Sequence, residues 1–482
     1  MISAAALLLA CAIVADAKLS LRQPTSDGMV LQQQTDAAVW GKATPGATIT
    51  VTPSWSGRSY KVKTGADGLW SAKVATPAAS YKHHSIKVSG DGSSITVQNV
   101  LVGEVWIASG QSNMEIPIRG FTNCPIEGAN EVVSAAPLTD KVRMLTVGVC
   151  QTEEPQSEVQ NTPGWQDAGP ATVSEMSATA FFFARKLNSL LDVPVGILAF
   201  PRGGSRIEGW IPRETLASWG DDLSPEYIAS HFDDYTVPYR MYNGMEQPVK
   251  GYTAKGFIWY QGCSNVGAAD QFVERMTELV RQWREDWGDD DASMPFYQVE
   301  IAPYQYKGGQ CEQAPYLRAA QHVTAHTIPN SGCVVTNDLV YSYEKDNIHP
   351  CQKQPVGERL AYMALHRDYG FEAIACDSPE ATEVFRVEGK DSEICVRLSN
   401  CWGGLDRWQE IEGLEVCGSE QIWKPVRYAY YEWDSEGGYL RIRSEDVFDP
   451  SEVRYGWADF KPGNLHNHMG LPVAPFWVKL EK

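Results

Sequence analysis

The stretch Val105-Trp106-Ile107-Ala108-Ser109-Gly110-Gln111-Ser112-Asn113-Met114 decides the reading of this chain. Its first four residues are apolar without alternation, the pattern of a strand covered on both faces, as in a parallel sheet. The run opens into small residues and reaches Ser112 before a helix can start. That placement exposes the hydroxyl and aims backbone amides at incoming negative charge. A serine that caps a helix would look the same locally, so the reading depends on what accompanies it.

Working outward, similar runs recur at Val195 to Phe200, Gly256 to Tyr260, Phe296 to Ile301 and Cys333 to Thr336. Between them, Phe272, Met276, Leu279, Val280, Trp283 and Trp287 repeat at helical spacing, and further helices are expected over Pro315 to His326 and Pro355 to Tyr369. Strands alternating with helices predict an α/β fold around a mostly parallel sheet. Ligands of such sheets bind outside the carboxyl ends of the strands. Ser112, Gly203-Gly204, Gln261 and His349 each follow an apolar run and are expected at that edge.

Both ends of the chain read differently. From Lys18 to about Val100, short alternating runs are separated by Thr44-Pro45-Gly46, Gly65-Ala66-Asp67-Gly68 and Gly90-Asp91-Gly92, which predicts a small β-sandwich. Beyond Phe371 the helical period disappears, and Ile394 to Leu398, Val426 to Trp433 and Tyr439 to Ile442 announce a second β region. The expected division is 18–100, 101–370 and 371–482.

The 482 residues carry a formal net charge of −19 and contain no basic run, which argues against nucleic acid and anionic membrane surfaces as partners. Residues 1–17 combine the apolar run Ala4 to Val14 with a small-x-small site at Ala15-Asp16-Ala17, the pattern of a secretory leader. Leu8-Leu9-Ala10-Cys11 also resembles a lipoprotein cleavage box, so anchoring at Cys11 is the competing expectation for an exported, periplasmic, secreted or lumenal protein. No later stretch approaches the ~20 apolar residues of a membrane span. Eleven cysteines less Cys11 leave an even number, compatible with disulfides after export. No pair has zinc-site spacing, so a metal is not expected.

A serine hydroxyl needs a base within hydrogen-bond reach and a group that holds the base in the right tautomer. Asp346-Asn347-Ile348-His349-Pro350 offers His349 as base and Asp346 as its orienting acid from one loop, with Asp338 as a competing acid. Ser109, Ser205 and Ser264 are alternative nucleophiles. The tetrahedral oxyanion needs donors. The backbone amides of Ser112 and of Gly203 or Gly204 are candidates, with a side-chain amide from Gln261 or Asn265.

Four ordered blocks carry a likeness to a known family: Gly110 to Met114, Gly203-Gly204-Ser205-Arg206-Ile207-Glu208-Gly209-Trp210, Trp259-Tyr260-Gln261-Gly262-Cys263-Ser264-Asn265, and Asp346 to Pro350 followed by Val356-Gly357-Glu358-Arg359-Leu360. The chain resembles the sialate O-acetylesterases of the SGNH-hydrolase group. Asp27 to Gln32 and Val453 to Asp459 extend the likeness over nearly all of the chain. The resemblance implies a three-layer α/β/α, flavodoxin-like catalytic domain with flanking β-sandwich-like regions. It also implies removal of acetyl groups from carbohydrates by Ser112, His349 and Asp346 through an acetyl-enzyme, without a cofactor. Acetylated sialic acid and acetylated xylan or another glycan are the candidate substrates. For a sialate carboxylate, Arg119, Arg202 and Arg206 lie near the relevant loops.

The chain departs from the family at Cys263, where the third block usually has Glu, and at Cys351, two residues after the histidine, where a basic residue is common. The paired departure suggests a disulfide bracing the His349 loop, with two unrelated buried thiols as the alternative. A noncatalytic carbohydrate-binding protein on a retired hydrolase scaffold is the rival from another class, and the complete set of reactive groups argues against it.

Overall fold

The computed structural model describes residues 18–136, 141–306, 313–387, 389–401, 403–406 and 409–480. The leader and Cys11 lie outside the described residues.

The central strand is β1 (Ser93–Gly110), which delivers Ser112 directly into the short helix α1 (Ser112–Glu115). Around β1 stand β2 (Val142–Thr146), β3 (Trp165–Asp167), β4 (Val195–Ala199), β5 (Gly256–Tyr260), β6 (Phe296–Val299) and β7 (Ser331–Val334). Their order across the sheet is β3-β2-β4-β1-β5-β6-β7. All neighbours run parallel except β3, which pairs antiparallel with β2 at the edge. The chain thus leaves β1 toward one side of the sheet and crosses to the other after β4. The strand order thus reverses at β1, and in such folds ligands bind outside the carboxyl ends of the strands at that point.

Alternation along β1 explains why its sequence shows no polar face. Val105 and Ile107 enter a core with Phe272, Leu279 and Trp283 of α3 (Ala269–Asp286), after α2 (Ala178–Leu191). Trp106 and Ala108 enter another with Phe181 and Phe183 of α2 and, after α4 (Gln313–Thr327), with Leu360 and Ala364 of α5 (Gln354–Asp368). Both faces are therefore apolar. The expected strands and the helices α3, α4 and α5 are present, displaced by a few residues at their ends, whereas β2, β3 and α2 were not anticipated from the sequence.

The N-terminal region packs the strands Ser20–Leu21, Asp36–Lys42 and Leu69–Ala75 against a second group containing Thr48–Pro53, Tyr60–Lys63 and Ser80–Gly90. Trp70, Ile49, Val51 and Ile86 fill the space between. The boundary expected at 100/101 falls inside one unbroken strand: β1 pairs with Ser80–Gly90 through its first half and with β4 and β5 through its second. The reason is that residues 97, 100 and 101 are as apolar and buried as those that follow.

At the other end, Ala381–Phe385, Glu393–Leu398, Gly437–Arg443 and Ala429–Asp434 form one antiparallel sheet, and Lys424–Pro425, Leu414–Cys417, Glu452–Tyr455 and Phe476–Lys479 form another. Ile394, Val396 and Ile442 of the first meet Val416, Val453 and Tyr455 of the second in a shared core. This region is tied to the central sheet by the buried Arg318 of α4, which donates to the carbonyls of Ala458 and Asp459 at 3.0 and 2.9 Å. Among the described residues no helix is long and apolar enough to cross a membrane.

Candidate active site

Ser112 sits at the end of β1, only 9% exposed, with three loops fastened around it. The backbone N–H of Arg202, beyond β4, donates to Gly110 O at 2.9 Å, and that of Gln111 donates to Tyr260 O, at the end of β5, at 2.8 Å. The side chain of Gln111 accepts from Gly262 N at 2.7 Å. From the far side, Asn113 Nδ2 donates to Ile348 O at 3.1 Å and fastens the histidine loop. Sequence segments far apart are thereby brought to one sheet edge, as the strand pattern predicted.

Gly203 lies against the serine: a β-carbon there would stand 3.4 Å from Ser112 Cβ and 2.7 Å from Glu115 Oε2. Its N–H donates to the Glu115 carboxylate. Burial raises the Glu115 pKa, opposed by that amide and by the charge of Arg202. Gly204 has φ +74°, a left-handed conformation suited to glycine, and its carbonyl accepts from Ser264 Oγ at 2.8 Å.

The two side-chain amides expected to serve the oxyanion are committed elsewhere. Gln261 Nε2 donates to Ser205 O at 3.1 Å and to Asn265 Oδ1 at 2.7 Å, which uses both of its hydrogens. Asn265 Nδ2 faces both oxygens of Glu208, at 3.3 and 3.0 Å, while its Oδ1 also accepts from Ile207 N at 3.0 Å. Both residues shape the loop between β4 and its following turn and do not point a free donor at Ser112. The backbone amides of Ser112 and of Gly203 or Gly204 remain as candidate donors, that of Gly203 being held by the Glu115 carboxylate.

The alternative serines are likewise occupied. Ser109 is buried and donates to Phe200 O at 3.0 Å, Ser205 Oγ accepts from Trp210 Nε1 at 3.0 Å, and Ser264 holds Gly204.

His349 packs its imidazole edge-on to Phe121 at 5.5 Å between ring centres. Its backbone N–H donates to Asn347 Oδ1 at 3.0 Å. Burial, and then the positive charge of Lys353, lower its pKa to about 4. Lys353 is itself buried and lowered to about 8, with its ammonium donating to Pro350 O. The ring is therefore neutral, as a general base must be.

The expected orienting acid is not beside it. The Asp346 side chain is 75% exposed, faces Lys345 at 3.9 Å and makes no hydrogen bond to His349 among the described residues. Three residues of loop carry the histidine inward and leave the aspartate in water, where its charge needs no partner. Asp338, the competing acid, is bound by Arg359 at 2.8 and 2.6 Å and by His466 at 3.0 Å. Burial alone would raise its pKa, but Arg359 and then His466 hold it at about 2. At His349 Nδ1 stands instead the thiol of Cys124, 3.7 Å away, whose hydrogen has Asn347 Oδ1 as an acceptor at 3.3 Å.

Cys263 and Cys351 are free thiols, and no disulfide joins the described cysteines. Cys351 Sγ points to the carboxylate of Glu127 at 3.8 Å. Burial, and then Glu344, raise its pKa to about 12; burial likewise raises Cys263. Two separate buried thiols stand where the bridge was expected.

Of the candidate arginines, Arg119 pairs with Glu175 at 2.7 Å and Arg206 with Glu208 at 3.4 Å. Arg202 lies under Tyr235, its guanidinium 4.5 Å from the ring centre. Sequence reasoning missed Asn113, Glu115, Cys124 and Tyr235. Asn113 lay inside the quoted motif and Glu115 directly follows it, but nothing in the sequence connects residue 124 with 349, or 235 with 202.

A parallel α/β sheet with a serine at its crossover crevice and a neutral histidine loop laced to it defines the class, an α/β enzyme of the hydrolase type. Comparison with known proteins agrees. Residues 102–366 match the family model "Carbohydrate esterase, sialic acid-specific acetylesterase", and the chain belongs to this family. Sialate O-acetylesterase of Mus musculus is 27% identical over 406 residues, covering 73% of this chain and 74% of that one. The Homo sapiens sialate O-acetylesterase is 28% identical over 391 residues, covering 73% and 72%. The crystal structure of a carbohydrate acetylesterase from Xanthomonas citri superposes with a TM-score of 0.82 at 31% identity, over 96% of this chain and all of that one.

Proposed function

We propose that this carbohydrate esterase removes O-acetyl groups from sugar hydroxyls through an acetyl-serine intermediate on Ser112. The observation that carries the reading is the Asn113 to Ile348 hydrogen bond, which joins the residue after the serine to the residue before the histidine. In the first half-reaction His349 takes the Ser112 proton as Oγ attacks the acetyl carbonyl. The Ser112 amide receives the developing oxyanion, and the Gly203 amide joins it by exchanging its bond to Glu115. Collapse returns the proton to the departing sugar oxygen. Water then attacks the acetyl-serine, with His349 as base and afterwards as acid to the serine.

The domain plan proposed is an SGNH-type, three-layer unit reaching to about residue 370, with the N-terminal β region joined to it through β1 and a second β region over 371–482. The leader pattern of residues 1–17 makes the protein an exported one in this reading.

Sialate esters are the first substrate class, supported by the family description and by Arg202 beside the site. Neutral acetylated glycans such as acetylxylan are the second reading, favoured by the net charge of −19 and by the pairing of Arg119 and Arg206 with carboxylates. Acetate release from O-acetylated sialosides and acetylated xylo-oligosaccharides separates the two, alongside hydrolysis of an aryl acetate. Loss of all turnover in Ser112→Ala is the expected result; equal aryl acetate hydrolysis by Ser112→Ala and the native chain would overturn the mechanism.

A further inference from the structure

We propose that Tyr235 is a stacking platform for a pyranose ring of the substrate, placed beside Ser112 and backed by Arg202. The proposal rests on the carbohydrate esterase reading above and names a binding subsite for it.

The first observation is position. Gly203 touches Ser112, and Gly204, the next residue, touches Tyr235: a β-carbon on Gly204 would stand 2.8 Å from Tyr235 Cβ. The tyrosine therefore stands against the Gly203-Gly204 loop that flanks the nucleophile. The second is exposure. Tyr235 is 51% exposed, whereas the large aromatics of the sheet, such as Trp106 and Trp259, are fully buried. An apolar ring kept in water beside a reacting centre gains free energy only when something covers it.

The third observation is rigidity. Asp233 Oδ1 accepts from Tyr235 N at 2.9 Å, from Thr236 N at 3.0 Å and from Thr236 Oγ1 at 2.9 Å, which locks the turn that presents the ring. Arg202, whose backbone N–H is fixed to Gly110, lies over the ring at 4.5 Å. A planar cation occupies one side of the aromatic and restricts its rotamer. A ring held this way is ordered before the ligand arrives, so stacking costs little side-chain entropy. Sugars offer an apolar C–H face that suits such a surface, and neither face of the argument depends on the sugar's charge.

The platform separates acetylated carbohydrates from small acetyl esters. Tyr235→Ala should raise KM for acetylated xylotetraose or an O-acetylated sialoside, whichever the native enzyme hydrolyses, by roughly ten-fold with kcat within about two-fold. Aryl acetate hydrolysis, which presents no sugar ring to the platform, should stay within about two-fold of native. Tyr235→Phe and Tyr235→Trp should keep the native KM, because the ring and not the hydroxyl does the stacking. In the Ser112→Ala background, calorimetric titration with the same oligosaccharide should weaken on adding Tyr235→Ala. Equal losses on aryl acetate and sugar ester would show a structural role and overturn the proposal. An unchanged KM for the sugar ester would overturn it as well. If the native enzyme hydrolyses aryl acetate but neither sugar ester, and Ser112→Ala binds neither, the carbohydrate reading fails and the platform fails with it.

Discussion

The side chain of Asn113 donates to the carbonyl of Ile348 at 3.1 Å, so neighbours of Ser112 and of His349 are bonded to each other. The bond is buried on the Asn113 side and sets how closely the two loops approach. Replacing Asn113 by Ala leaves that carbonyl without its donor, at a cost of about 1–3 kcal/mol. Thermal unfolding should shift down accordingly. Because the loss falls on alignment of nucleophile and base, kcat for aryl acetate should drop at least ten-fold with a smaller change in KM.

The acid limb of activity should lie unusually low. Burial and Lys353 lower the His349 pKa from 6.5 to about 4, so the ring stays an unprotonated base well below neutrality. The sign for stability is the same: the depressed pKa favours the native state above 6.5, and that advantage is lost as pH falls toward about 4. A profile of kcat/KM between pH 3 and 8 should fall with an apparent pKa near 4. Cys124→Asp, which puts a carboxylate at Nδ1, should move the limb upward, since a nearby negative charge favours the imidazolium.

Asp346→Asn should leave kcat within about two-fold of native. A triad acid neutralised in this way costs about four orders of magnitude in a serine protease. The solvent-facing position of Asp346 predicts no such loss. A drop of a thousand-fold or more would restore Asp346 to the histidine.

Thiol titration of the unfolded chain should find Cys263 and Cys351 free, and reductant should not change the melting temperature through them. Peptide mapping after alkylation without reduction tests the pair directly. Recovery of a joined Cys263 and Cys351 peptide would contradict it.

The frame of the molecule was legible because β4 and β5, the two neighbours of β1, are uninterrupted apolar runs and α3 repeats at helical spacing. Ser112 and His349 were legible for a related reason: each follows such a run, so strand direction delivered both to one edge. The rest depended on where side chains turn within loops. The spacing of Asp346 and His349 permits contact, yet the loop rotates the acid outward. Gln261 and Asn265 are the right chemical type for oxyanion donors, but Gln261 donates to Ser205 and Asn265, and Asn265 donates to Glu208. Cys124 reaches His349 through tertiary folding alone, which no local pattern encodes. The 100/101 division followed a change in pattern from alternating to continuous apolar residues. That change marks only where β1 passes from one covered face to two.

β1 makes the N-terminal β region a splint for the nucleophile. The same strand that is stitched to Ser80–Gly90 at one end holds Gly110 and Ser112 at the other, so there is no hinge along which the two parts can separate. Trimming the chain to begin at residue 101 would halve the central strand and expose its flank, and the remaining catalytic sheet would lose its anchor. The accessory region is therefore inseparable from catalysis in a mechanical sense: it keeps the serine at a fixed height above the sheet.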